Sequence, residues 1–224
     1  MRAPISVIIP TLNAEAHLGA CLAGLMAGVE AGLIRELIVS DGGSDDATVA
    51  IAKAWGAEVV LGAPSRGGQL ARGCAKAQGR WLLVLHADTA LQPGWVGPAV
   101  LHLDTGRAGW FRLAFAHGGV AGRWVAGWAN LRSRCGLPYG DQGLLLPQTL
   151  YREVGGYPDQ PLMEDVAIAL ALKGKLAPIE AVAQTSATRY QSQGWVRRGS
   201  RNLWCLLRYL AGASPVGLAE SYRR

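Results

Sequence analysis

The chain opens on a β-branched, apolar run, Ile5-Ser6-Val7-Ile8-Ile9, stopped by Pro10. Such a run predicts a strand covered on both faces, as in a parallel sheet. Asn13 can cap a helix reaching about Gly28, with Leu18, Leu22 and Leu25 at helical spacing. The pattern then repeats. Residues 36–40 predict a second strand ending at Asp41, Asp45 or Asp46 caps a short helix through Trp55, and Glu58–Leu61 forms a third strand. A helix over about 69–78 leads into a fourth strand, 81–85. Four β–α units in under ninety residues predict an α/β protein with a doubly wound, mostly parallel sheet. Ligands of such sheets sit beyond the carboxyl ends of the strands, which directs attention to Pro10–Glu15, Asp41–Asp46 and His86–Thr89.

The second half is less regular. Residues 110–116 read as a strand, 120–134 as an amphipathic helix, 143–146 as a strand and 164–172 as a helix. The end, 195–210, is an amphipathic helix in which Trp195, Leu203, Trp204, Leu207, Tyr209 and Leu210 alternate with Arg197, Arg198, Arg201 and Arg208. Two readings of it stand side by side. It packs Leu203, Leu207 and Leu210 on the core and solvates its arginines, or it lies on a membrane surface with arginine stems along apolar area. The 224 residues suit one domain, residues 1–90 binding the donor and 91–224 completing an acceptor site.

Composition narrows the classes. Half the residues are hydrophobic and 17% charged, so a large core is available and disorder is excluded. Cys21, Cys74, Cys135 and Cys205 are far apart with no CxxC pair, which argues for reduced, cytosolic thiols rather than zinc or disulfides. A strand starting near Met1 leaves no room for a signal peptide, and no apolar run nears the roughly 18 residues of a membrane span. The net charge of +6 suits an anionic ligand such as a nucleoside diphosphate, or an anionic membrane. Nucleic acid is disfavoured, because no compact basic run is interleaved with aromatics.

Acidic residues fall where ligands are expected. Asp41 opens Asp-Gly-Gly-Ser-Asp-Asp, either a carboxylate for a base or ribose or simply a turn with a helix cap. His86 and Asp88, two apart, face the same way if the strand continues and could share a hard cation; otherwise Asp88 caps the next turn. Glu164-Asp165 starts a helix, where carboxylates stabilise the dipole or supply a general base. Arg66 either binds phosphate or is solvated.

In order and spacing, VIIPTLNAE, DGGSDDAT, HADT and the later ED resemble glycosyltransferase family 2, which has the glycosyltransferase A (GT-A) fold. RGGQLARG, LHADT, YGDQG, GGYP, PLMEDV and TSATRY further resemble a small bacterial subgroup found near radical-SAM and selenium-associated genes, some of it assigned to arsenosugar biosynthesis. The resemblance spans nearly the whole chain. It implies an inverting, hexosyltransferase-type enzyme using a UDP- or GDP-sugar, with Mn²⁺ or Mg²⁺ on Asp88 and His86. It assigns Pro10, Thr11, Glu15, Asp41, Arg66, Gln69, Asp141, Gln142 and Arg189 to substrate binding, Asp165 to the base, and Glu164 to its support. The acceptor is a small molecule or lipid-linked, and the protein cytoplasmic or peripheral at the inner membrane face. Family 2 commonly has Asp where this chain has His86; the subgroup usually has Asn at Ala71 and Arg at Thr188. A non-catalytic sugar-binding protein or a nucleotidyltransferase is the alternative, although the latter carries a Gly- and Lys/Arg-rich segment where this chain has Pro-Thr-Leu-Asn-Ala-Glu.

Overall fold

The computed structural model describes residues 2–223. Its first part runs β1 (Ile5–Thr11), α1 (Glu15–Ala23), α2 (Met26–Glu30), β2 (Ile34–Asp41), α3 (Thr48–Ala54), β3 (Glu58–Leu61), α4 (Arg66–Lys76) and β4 (Trp81–Val84). The middle comprises β5 (Thr89–Leu91), α5 (Val96–Leu103), β6 (Ala108–Ala116), α6 (Gly119–Arg134), a 3₁₀ turn (Gly140–Gln142), β7 (Leu144–Pro147) and α7 (Gln148–Glu153). The end holds α8 (Glu164–Ala171), β8 (Leu176–Ser186), α9 (Thr188–Gln193), α10 (Trp195–Leu210) and α11 (Pro215–Arg223).

One sheet carries all eight strands in the order β3-β2-β1-β4-β7-β6-β8-β5. Strands β3, β2, β1 and β4 pair in parallel, as do β6 and β8, while β7 and β5 are antiparallel to their neighbours. Six strands therefore point one way. Their carboxyl ends, joined by the start of β7, form a single edge where Thr11, Asp41, His86, Asp141 and Ser186 meet. This is the predicted mixed α/β, GT-A-like sheet in one domain.

Period-two alternation in the central strands feeds cores on both faces. Val7, Ile9 and Leu83 pack with Leu18 and Leu22 of α1 and Trp95, whereas Ile8, Leu82 and Val84 pack with Leu70 and Cys74 of α4 and Ile168 of α8. A third cluster, Met163, Val166, Cys205, Leu206 and Leu218, fixes α10 and α11 against the start of α8.

Several local expectations are corrected. The helix expected over 13–28 is two, because the chain turns at Gly24 and Leu25, where an added Cβ on Gly24 would lie 2.9 Å from the Leu91 carbonyl. Asn13 is not its cap. With φ +50° it lies in the left-handed region and accepts from the Asp45 N–H at 3.0 Å. Strand β4 ends at Val84, since the Thr89 N–H turns back to the His86 carbonyl. In α10 the core receives Arg198, Cys205 and Leu206, while Leu203, Leu207 and Leu210 stay exposed.

Candidate active site

Two adjoining pockets open along the carboxyl edge. The first, of about 310 Å³, lies between the end of β1 and α4, with Pro10, Thr11, Arg66, Gln69 and Glu164 in its wall. The second, of about 140 Å³, is walled by Asp141, Asp165, Tyr139, Tyr190, Arg198 and Asn202. Arg66, His86, Asp88 and Arg189 border both. The structure thus gathers nine predicted residues at one edge: Pro10, Thr11, Arg66, Gln69, His86, Asp88, Asp141, Asp165 and Arg189, with Glu164 beneath them.

Asp41 lies outside both pockets and braces Thr11 in the wall of the first from behind. Asp41, fully buried, accepts from Thr11 Oγ1 (2.7 Å), Ser44 Oγ (2.6 Å), and the Gly43 and Ser44 N–H groups (2.8 and 2.7 Å). Burial opposes ionisation, but the bonds from Ser44, Thr11 and Gly43 prevail and hold the carboxyl below its ordinary range. Four bonds occupy roughly the four acceptor positions of a carboxylate, so Asp41 shapes the turn from inside. Gln69 donates to the Thr11 and Ser40 carbonyls (2.6 and 3.0 Å), tying α4 to the ends of β1 and β2. Glu15 lies outside both pockets, accepting from the Ala47 N–H at 2.9 Å.

Between the pockets, Arg66 Nε sits 3.0 Å from Glu164 Oε1; the arginine side chain is 47% exposed and the glutamate fully buried. Burial pushes the Glu164 carboxyl up to about 7, against the pull of Arg66. Its neighbour faces the other way. Asp165 accepts from the Gly140 N–H at 2.9 Å and the Val166 N–H at 2.8 Å and borders the second pocket. Met163, at φ +63°, makes the turn that lets consecutive carboxylates diverge at the head of α8.

His86 and Asp88 border the junction although no strand carries them. Burial and the nearby Arg66 lower the His86 pKa, favouring a neutral imidazole. Gly140 packs on that ring so closely that an added Cβ would lie 2.3 Å from Nε2. Among the described residues no three His, Cys, Asp or Glu side chains converge into a metal cage. One carboxylate and one neutral imidazole fit a cation whose remaining ligands come from a bound diphosphate or water.

Asp141 borders the second pocket, its carboxyl pushed up to about 6 by burial, and its Oδ1 has no hydrogen-bond partner. Gln142 turns inward instead. It accepts from Ser133 Oγ and donates to the Phe111 carbonyl at 3.2 Å, bracing the 3₁₀ turn. Five further residues of the second pocket, Tyr139, Tyr190, Arg198, Asn202 and Tyr222, have no site role legible in the sequence. In the structure Tyr222 donates to Asn202 (2.7 Å), which donates to Tyr190 (3.0 Å). Tyr139 and Tyr190 stand inside the YGDQG and TSATRY motifs, whereas Asn202 and Tyr222 show only as an amide and an aromatic in a helix-rich tail.

A pocket at the carboxyl edge of a mostly parallel sheet, beside a carboxylate-lined second pocket, places the chain among α/β proteins that bind ligands beyond their strand ends. The chain belongs to glycosyl transferase family 2, matched over residues 6–141, and by family is a glycosyltransferase. Among solved structures it is similar to glucosyl-3-phosphoglycerate synthase from Mycobacterium tuberculosis in complex with Mn²⁺, UDP and glucosyl-3-phosphoglycerate. That likeness has 25% identity, 82% of this chain, 70% of the synthase and a TM-score of 0.57. The fold is also that of S. aureus TarS in complex with UDP-GlcNAc, at 14% identity, 82% of this chain, 58% of TarS and a TM-score of 0.61. No curated protein matches the chain.

Proposed function

We propose that the protein moves a sugar from a nucleoside diphosphate donor to an acceptor hydroxyl with inversion at the anomeric carbon. The observation that carries this reading is the divergence of Glu164 and Asp165 into adjoining pockets that share Asp88 and Arg66. Residues 1–90 supply most of the donor pocket and 91–224 the acceptor pocket. The UDP and Mn²⁺ of the mycobacterial synthase support a UDP-sugar and a divalent cation here. Asp88 with His86 would hold that cation, which supplies Lewis-acid neutralisation of the leaving diphosphate.

The chain's own residues do the rest. Arg66, pinned by Glu164, presents its guanidinium edge to diphosphate oxygens, and Arg189, bordering the same pocket, adds positive charge. Asp165 takes the proton of the acceptor hydroxyl as its oxygen bonds the anomeric carbon and the sugar–phosphate bond breaks. The nucleoside diphosphate departs on the far face. No enzyme nucleophile takes part. Membership of the radical-SAM-associated bacterial subgroup rests on YGDQG and PLMEDV, and four unpaired cysteines suit a reducing, cytoplasmic setting. The test is a panel of UDP-, GDP- and dTDP-sugars with Mn²⁺ or Mg²⁺, scored by nucleotide release. Release from a UDP-sugar only with cation is the expected result, and no release from any donor would overturn the reading.

A further inference from the structure

The surface of α6 and α10 is unlike the rest of the molecule. Val120, Trp124, Trp128 and Leu131 follow helical spacing along the outer side of α6, with Trp124 78% exposed. On α10, which packs beside α6, Val196, Leu203, Trp204, Leu207 and Leu210 are likewise exposed, Trp204 to 64%. A soluble surface rarely gathers so much apolar area without a partner. Charge names the partner's chemistry. The two helices carry seven arginines and no Asp or Glu, and Arg123, Arg134 and Arg197 are exposed. Indoles between arginines suit the interface of an anionic bilayer, where rings lie at headgroup depth and guanidinium groups reach phosphate.

The apolar face runs up to side chains of the active site. A shallow depression along Trp124, Trp128 and Leu131 on α6 shares Trp128 with a narrower groove of about 200 Å³ between α6 and α10, walled by Leu113, Val125, Leu203 and Leu206. The inner end of the narrower groove is formed by Tyr139, Asp141, Tyr190, Arg198 and Asn202, the same residues that wall the Asp165 pocket. Polarity therefore rises inward. At that inner end Asp141 Oδ1 and Arg198 Nε are buried without hydrogen-bond partners, whereas the outer end is hydrocarbon and indole. Buried polar atoms left unpaired mark a place where a ligand group completes the bonding.

We propose that α6 and α10 dock the protein on an anionic phospholipid bilayer. The groove between them then admits the hydrocarbon part of a membrane-borne acceptor, whose hydroxylated head reaches Asp165. This rests on the sugar-transfer reading of that pocket, but docking and groove binding are measurable without turnover. The wild-type chain should sediment with phosphatidylglycerol-containing vesicles at low salt and be released at high salt, and should ignore pure phosphatidylcholine. Trp124→Ser with Trp204→Ser, and separately Arg123→Gln with Arg197→Gln, should lose most of the sedimentation. These four side chains lie outside the cleft, so UDP affinity measured with Mn²⁺ should not move. Failure of the wild type to sediment, or sedimentation untouched by both double variants, overturns docking. So does a stable dimer that dissociates in the tryptophan variant, since a second copy would then cover the face. For the groove, n-octyl β-D-glucoside below its micelle concentration should bind at least about tenfold more tightly than methyl β-D-glucoside, a modest share of what burying the longer alkyl chain can supply. Leu203→Asp should erase that difference. Equal binding of the two glucosides, or a difference that survives Leu203→Asp, overturns the amphiphile assignment. Loss of UDP binding in the wild type would instead defeat the sugar-transfer reading.

Discussion

Asp165 is held by two backbone N–H groups, from Gly140 and Val166, at the head of a helix whose hydrophobic residues anchor it in two cores. Such bonds fix a carboxylate without exhausting its acceptor positions, which is what a base needs before the acceptor arrives. Asp165→Asn should lower transfer by roughly 10²–10⁴-fold, the ordinary share of a general base. UDP affinity should stay near wild type; calorimetry beside a nucleotide-release assay separates the two. A result in which Glu164→Gln is inactive and Asp165→Asn retains most activity would reverse the assignment. Asp141 poses a different question, because burial raises its folded pKa to about 6. A raised carboxyl pKa means the folded state binds the proton more tightly than the unfolded one. Stability then falls as pH rises from about 4 to about 6 and levels off above that window. Asp141→Asn should therefore be more stable than wild type at pH 8, by on the order of 1–3 kcal/mol, and match it near pH 4. Thermal melts of both proteins across that range check the sign. A carboxylate kept at such cost in a pocket wall is readily understood if it meets a ligand.

At the scale of elements, the start of α4 is the most constrained joint. An ideal Cβ on Gly67 would fall 1.9 Å from the Pro158 carbonyl and 2.8 Å from the Gln160 nitrogen, both backbone atoms. Gly67→Ala should push α4 away from the segment before α8 and pull Arg66 off Glu164. A loss of about 2 kcal/mol, or about 4–8 °C in Tm, is expected together with weaker UDP binding. The neighbouring Gly68 meets mainly the Asp159 side chain, which can rotate, so Gly68→Ala should be milder. The four β–α units of the first half were legible because each strand is a short apolar run bounded by a turn. Strand β8, the longest at 11 residues, was not. Pro178 and Glu180 interrupt its apolar character, and of its buried positions only Ile179 is large, Ala181, Ala183 and Thr185 being too small to raise a hydrophobic signal. Yet it is central to the second half, pairing with both β6 and β5. The diverging carboxylates were readable as a pair from the Glu-Asp dipeptide, whereas the left-handed turn at Met163 that separates them depends on packing that no local pattern encodes.

Across the whole molecule, charge is distributed by function. Asp88, Asp141, Glu164 and Asp165 gather at one edge of a chain with a net charge of +6, and of these four only Glu164 is ion-paired, with Arg66. A nucleoside diphosphate brought to this edge meets carboxylates as well as Arg66 and Arg189, and repulsion from the carboxylates offsets part of the attraction. A divalent cation placed at Asp88 and His86 would reverse that balance, since it contributes two positive charges where the diphosphate must lie. The expected outcome is that UDP binds at least about tenfold more weakly in EDTA than with Mn²⁺, a difference of about 1.4 kcal/mol. Asp88→Asn should bring the Mn²⁺ value down to the EDTA value, while Asp165→Asn should leave the cation effect in place. Calorimetric titration of UDP into all three proteins, with and without Mn²⁺, reads both effects directly. Equal affinity of the wild type in EDTA and in Mn²⁺ would remove the cation from donor binding and leave Arg66 and Arg189 to hold the diphosphate alone.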